Sequence, residues 1–435
     1  MVTLSGVERQ LEVLQLEEIS PVPEQKRVLA VITDNSGSTG RDSLCNGRPV
    51  SELPFAGRYR VIDFSLSNCI HSGIDNIVIV LDRRHLELDA YLRRWRATND
   101  PPGNFRIVEP PVDSYTSAAE SVYRNLAFIE ESGAEEILLL PAGRVYKMDY
   151  RQMLHFHECV EADLTIATVP VPTSQVFRFG NVTTDAAGRV LDYVDRPGIP
   201  RSNLANIGVY LFGSDVLVER LVEDVPHTDA PCDFGRTIIP KMLARGDRVF
   251  AYTSGDYWHD ISTAGAYHSV HMEFTRHLPS FGLEGRWPVL SERLELPPPK
   301  KSEQGSVENS IVSPGCVIRG HVENSVLSPG VWVDSQAVVR NSVLMRDAIV
   351  GSRSIVDYCI LDEEVSVGLF CYIGFGPARI PSQDEVTVIG RGAAIPPHTA
   401  VGRNCRILPH VEPSDFVSSA IRAGETVEPR QTVLT

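Results

Sequence analysis

The octapeptide Glu308-Asn-Ser-Ile-Val-Ser-Pro-Gly315 returns almost unchanged fifteen residues later as Glu323-Asn-Ser-Val-Leu-Ser-Pro-Gly330, and Asn341-Ser-Val-Leu344 begins a third copy. Farther along, Ile389, Ile395, Val401 and Ile407 stand six apart, with Gly390 and Gly402 behind two of them. Few folds accept an aliphatic residue at every sixth position, small residues at the corners and only short runs between. The pattern predicts a left-handed parallel β-helix of hexapeptide repeats, in which each coil buries its apolar side chains against the coil before it. Such a domain closes its own ends poorly, which makes it a natural place for subunit contacts.

The chain before the repeats has a different rhythm. Val28–Ile32, Ile77–Leu81, Ile137–Leu140, Asp163–Val171, Asn206–Phe212 and Val249–Thr253 read as strands. Helical stretches separate them at 85–95, 118–131, 234–243 and 266–277, and Phe179–Val194 reads as a hairpin turning at 185–188. This alternation predicts an α/β domain, Rossmann-like in the broad sense, with a mostly parallel sheet and helices on both faces. The expected organisation is an N-terminal extension at 1–26, the α/β domain at 27–290, a Pro-rich linker at 291–305, the β-helix at 306–420 and a tail at 421–435. Leu4, Val7, Leu11 and Leu14 recur at helical spacing in the extension, which suits a short docking helix.

Composition narrows the partners. A formal charge of −15 with no compensating basic block argues against nucleic acid and anionic membranes. The eight cysteines form no C-x-x-C pair, so neither zinc nor a disulfide framework is expected, and with Glu8, Glu12, Glu17 and Glu18 among the apolar residues of 1–26 no signal peptide is expected either. A cytoplasmic protein is the plain expectation.

In open α/β sheets ligands gather beyond the carboxyl ends of the strands, here after Ile137–Leu140. That turn, Pro141-Ala-Gly-Arg144, holds no carboxylate. The Gly/Ser-rich loop after the first strand, residues 33–41, fits neither dinucleotide-binding nor P-loop spacing.

Several motifs together resemble the ADP-glucose pyrophosphorylase (glucose-1-phosphate adenylyltransferase) family. Residues 54–68 are similar to its P-F-G-G-x-Y-R-x-I-D-F-x-L-S-N, and Tyr146-Lys-Met-Asp-Tyr150 matches outright. So do Ser202-Asn-Leu-Ala205, Asp233-Phe-Gly235 and Ile239-Pro-Lys-Met242, and Tyr257-Trp-His-Asp-Ile-Ser-Thr263 resembles Y-W-x-D-V-G-T. The resemblance runs from about Val28 to Val411 and implies a nucleotidyltransferase (GT-A-like) domain joined to the β-helix. It also implies the reaction of ATP with glucose 1-phosphate to give ADP-glucose and pyrophosphate for glycogen, with Mg²⁺ held by carboxylates.

The departures fall on the nucleotide and metal side. The family's glycine-rich loop is replaced by 34–42, with Gly37, Gly40 and Arg41 as its remnant. Gly143 stands where the family places its metal aspartate, Asp82 where it has a glutamine near the base, and Val50 where it has a lysine. The sugar-phosphate side is better kept: the resemblance puts Tyr115, Gly180, Asp195, Arg196, Asn206 and Asp260 at the glucose 1-phosphate site, with Asp260 also as a lone metal carboxylate. Arg58 and Arg60 fall near the family's effector sites.

The resemblance with these losses implies a catalytically impaired or regulatory-type paralogue of glycogen biosynthesis. It would assemble with an active ADP-glucose pyrophosphorylase subunit or form a homotetramer, and would use Mg²⁺ only if active. The alternatives are a slow or substrate-shifted adenylyltransferase and a sugar-phosphate-binding homo-oligomer without catalysis.

Overall fold

The structure is a computed structural model and describes residues 27–34, 44, 48–81, 86–108, 117–225, 232–276, 282–377 and 381–430. The expected N-terminal helix, Gly37, Gly40, Arg41, Asp82 and Tyr115 lie outside the described residues.

Among the described residues nine strands form the sheet of the first domain: β1 (Val28–Thr33), β2 (Asn76–Val80), β3 (Asn104–Val108), β4 (Glu136–Pro141), β5 (Leu164–Pro170), β6 (Gly180–Thr184), β7 (Val190–Asp195), β8 (Leu204–Gly213) and β9 (Val249–Thr253). Ile137–Leu140 of β4 is buried throughout, and its side chains divide between two apolar cores: Leu138 and Leu140 face one, Ile137 and Leu139 the other. An unbroken aliphatic run is what a strand covered on both faces requires. β4, β1, β2 and β3 are parallel. The sheet is mixed rather than mostly parallel, because β8 runs antiparallel to β4, β5 and β6.

Two local features depart from the sequence reading. The helix expected over 118–131 is two, Ala118–Tyr123 and Leu126–Ser132. At the break the Asn125 side-chain amide donates to the Ser121 carbonyl at 2.7 Å, in competition with the regular backbone ladder. The helix entered through Asp233 begins with a π turn, Phe234–Ile238, before Ile239–Arg245. Asp233 caps it by accepting the Gly235 and Arg236 N–H groups at 2.9 and 3.2 Å.

The repeats build three parallel sheets of six, seven and seven short strands, the architecture of a hexapeptide β-helix. Ile389, Ile395, Val401 and Ile407 visit the three sheets in turn and return to the first. Leu327, Leu344, Leu361, Ile389 and Ile407 stack in register, each on the coil before it. The repeated Asn-Ser has a structural cause. Asn309, Asn324 and Asn341 take positive φ at one corner, a conformation asparagine tolerates. The serine after each turns its hydroxyl along the stack: Ser310 accepts the Ser325 N–H, Ser325 that of Ser342, and Ser342 that of Cys359, at 3.0 to 3.1 Å. Coil strands appear at Lys300–Lys301, within the segment expected as linker, and at Thr426–Val427, within the expected tail.

The two domains share a core. Phe55, Tyr267 and Phe274 pack in one cluster with Met345, Ile360 and Val388 of the β-helix. Beside it, the largely covered Arg48 donates to Asp362 at 2.7 Å and approaches Glu363 at 3.5 Å. From the helix Ala264–Phe274, His268 donates Nε2–H to the Asn341 carbonyl at 2.7 Å, while its Nδ1 is buried without a partner.

Burial pushes the His268 pKa down to about 4, against an ordinary value near 6.5. Between these values the unfolded chain binds a proton that the folded chain refuses, so the contribution of this residue to stability falls as pH drops through the window, by up to about 1.4 kcal/mol per pH unit. His268→Gln keeps a donor for Asn341 and removes the titration. Denaturant unfolding at pH 7.5 and pH 5 will show wild type losing more stability on acidification than the variant.

Candidate functional site

Beyond the carboxyl ends of β1 and β4 lies a cavity of about 630 Å³, lined by Thr33 and Asp34 from one strand end and Pro141 to Arg144 from the other. Its far wall comes from the hairpin β6–β7 and from β8. The structure brings Gly143, Gly180, Asp195, Arg196, Asn206 and Asp260 together on this one cavity. Arg58 and Arg60 do not join them. They line a crevice of about 20 Å³ at the domain boundary with Ser328, Pro329 and Arg346, room for about one water. There Arg60 bonds the Glu52 carbonyl at 2.9 Å and stacks over Tyr91 at 4.7 Å.

Asn206 sits where β8 slips register, three of its residues facing one of β5 between the pairs Asn206–Thr168 and Tyr210–Ile166. Gly208 at φ +85° makes that slip possible. Asn206 is fully engaged: its carbonyl accepts the Gly208 N–H at 2.8 Å, and its amide donates to the phenols of Tyr193 and Tyr210 at 2.9 and 2.8 Å. Burial pushes both phenols up, so each retains its proton. Asn206 thus acts as a bracket that aims two hydroxyls.

Gly180 is fixed by the same tyrosine, since a Cβ there would lie 2.1 Å from the Tyr193 hydroxyl. Asp195 accepts from Arg236 Nε at 2.8 Å. Arg196 follows at φ +49°, exposed and with no ion pair among the described residues.

The centre of the cavity is Asp260, its side chain only 8% exposed. Arg144 Nη1 donates to its Oδ1 at 2.8 Å, and Arg178 Nη2 donates to its Oδ2. Ser262 adds its backbone N–H to Oδ1 at 3.2 Å and its hydroxyl to Oδ2 at 2.8 Å. Opposite, a Cβ on Gly143 would lie 3.2 Å from the Cβ of Val50, and Ser51 donates to Asp34 at 2.6 Å. Gly143 and Val50, far apart in the chain, are packing neighbours.

The Nucleotidyl transferase family profile matches residues 43–277, and the GlmU-like C-terminal hexapeptide profile matches 297–392. The chain is 37% identical over 410 residues to a glucose-1-phosphate adenylyltransferase of Thermomicrobium roseum, covering 90% of this chain and 95% of the relative. It is 34% identical over 419 residues to one of Acetivibrio thermocellus, covering 93% and 98%. The chain belongs to the glucose-1-phosphate adenylyltransferase family. Relatives from Fervidobacterium nodosum and beyond carry the same name.

Members of the glucose-1-phosphate adenylyltransferase family generally use Mg²⁺, which takes carboxylate oxygens in near-octahedral geometry. The residues here do not fit it. Both oxygens of Asp260 are occupied by four N–H and O–H donors, two of them guanidinium groups, and position 143 supplies no carboxylate. Among the described residues no three His, Cys, Asp or Glu side chains converge as a metal site.

Sequence reading placed Asp260 in the site but missed Arg178, Ser262 and Tyr193. Arg144 was visible only as a residue that is not an acid. Its role, like that of Arg178, depends on a partner more than 80 residues away.

Gly180→Ala will force Tyr193 aside and break its bond to Asn206, a loss of about 1–3 kcal/mol in denaturant unfolding. Ala at the unencumbered Gly198, which has open space, will cost far less.

Proposed function

We propose that this chain is a non-catalytic member of its family that holds a sugar phosphate and serves as a regulatory partner, assembling with an active adenylyltransferase subunit in storage-glucan synthesis. The observation that carries this reading is the closed Asp260: its oxygens are taken by Arg144, Arg178 and Ser262 while Gly143 stands opposite. In-line transfer of a nucleotidyl group needs the triphosphate charge neutralised in a fixed geometry. A carboxylate already saturated by arginines holds no metal for that purpose. On the wall formed by Asp195, Arg196, Tyr193 and Asn206, the Arg196 guanidinium and the Tyr193 hydroxyl still offer donors to a sugar phosphate. The β-helix supplies the surface for assembly. Regulation by such a subunit requires that effector affinity differ between two states of the assembly.

The purified chain with Mg²⁺, ATP and glucose 1-phosphate will release no pyrophosphate above background; turnover on the order of 1 per second or more would sink the non-catalytic reading. Co-expression with an active family member will yield a mixed oligomer with an altered effector response. An active partner whose oligomeric state and response stay the same removes the regulatory role. Gly143→Asp alone will not create turnover, because the new side chain meets Val50 and the arginines remain on Asp260.

A further inference from the structure

We infer that Arg144 and Arg178, locked onto Asp260, are a built-in replacement for a divalent cation, so that this cavity binds a phosphomonoester without any metal. The inference rests on the sugar-phosphate reading above for the natural ligand, but its physical content concerns the arginine pair.

The geometry is that of a clamp. Asp260 is buried, whereas Arg144 and Arg178 are about one-third exposed and line the cavity. Each guanidinium presents five N–H donors in a planar fork. Arg144 commits Nη1 to Asp260, and Arg178 commits Nη2 to Asp260 and Ser262. The remaining donors of both have no hydrogen-bond partner among the described residues. Ser262 links the two halves, accepting from Arg178 at 3.0 Å and donating to Asp260 at 2.8 Å. The Phe179 ring lies 5.7 Å from the Arg178 guanidinium and limits its swing. The carboxylate therefore orients two forks that would otherwise be long, mobile side chains.

Charge agrees with this use. Two guanidiniums against one carboxylate leave one net positive charge, and Arg196 on the same cavity adds a second. Asp195 is neutralised by Arg236; the carboxylates of Asp233, which caps a helical turn, and Asp34, which accepts from Ser51, also line the cavity, so the positive charge is local to the arginine cluster rather than to the cavity as a whole. A phosphomonoester carries close to two negative charges at neutral pH. Arginine forks suit phosphate oxygens, and charge-assisted bonds of this kind are among the stronger hydrogen bonds. A divalent ion at the same place would face two guanidiniums across a carboxylate with no free oxygen.

Calorimetric titration of the full chain with glucose 1-phosphate and, separately, inorganic phosphate tests this, in Mg²⁺ and in EDTA. The expected result is a Kd unchanged within twofold between the two buffers and weakened at least tenfold in Arg178→Gln. Arg178→Lys, which keeps the charge and loses the fork, will fall between them, and circular dichroism with thermal unfolding will establish that the variants are folded. A Kd at least tenfold weaker in EDTA, or one insensitive to Arg178→Gln, overturns the inference. So does saturable Mn²⁺ binding in wild type, followed by electron paramagnetic resonance and lost in Asp260→Asn. Binding of inorganic phosphate without glucose 1-phosphate refutes the sugar-phosphate reading while upholding the arginine pair. Binding of neither probe overturns both.

Discussion

Strand β4 can exist only if both its faces are covered, and most of the first domain follows from that requirement. Ile137–Leu140 divides its side chains between two apolar cores, so helices must lie above and below the sheet, and connections must cross over at its ends. Polar backbone at the carboxyl end of β4 cannot be buried in either core. It opens instead into the cavity that Pro141 to Arg144 line. The cavity is thus a product of strand burial before it is a product of ligand chemistry. What distinguishes this chain is the set of side chains placed there: two arginines converge on a buried aspartate, and a glycine faces a valine.

The β-helix obeys a different constraint. A coil with two- or three-residue strands buries almost nothing alone, and its apolar side chains gain only when the next coil stacks on them. Register is kept by aliphatic columns inside and by the serine hydroxyls at the corner. The flank of this stack is also the floor of the first domain. The shared core of Phe55, Tyr267, Met345 and Ile360, with Arg48 bonded to Asp362, makes the two domains packing partners rather than beads on a linker. A helix that ends at Phe274 touches the β-helix through His268, and Thr263, which caps that helix, lies three residues from Asp260.

Much of this was legible in the sequence because it is periodic or local. Six-residue spacing is a direct readout of coil geometry, and an aliphatic run flanked by acids and a proline is a direct readout of a buried strand. Asp260 was legible because it sits in a short motif shared with a family. The antiparallel course of β8, the π turn after Asp233 and the helix break at Asn125 were not, since each depends on hydrogen bonds that leave no period. Least legible was the state of Asp260. A motif names a carboxylate but not its neighbours, and the cations that close this one come from a turn and a single helical turn more than 80 residues away.

The contact between Gly143 and Val50 ties substitutions at the two positions together. In the sequence these are two separate departures from the motifs the chain resembles. In space they are one, because the room that a side chain at 143 would use is partly filled by the branched Cβ of Val50, 3.2 Å from the position a new Cβ would take. An aspartate arriving first at 143 meets that obstruction as well as arginines already seated on Asp260. A side chain at position 143 therefore requires residue 50 to give way by a few tenths of an ångström, so the two positions are not independent. The two positions are thus coupled by packing, and a change at one is felt at the other.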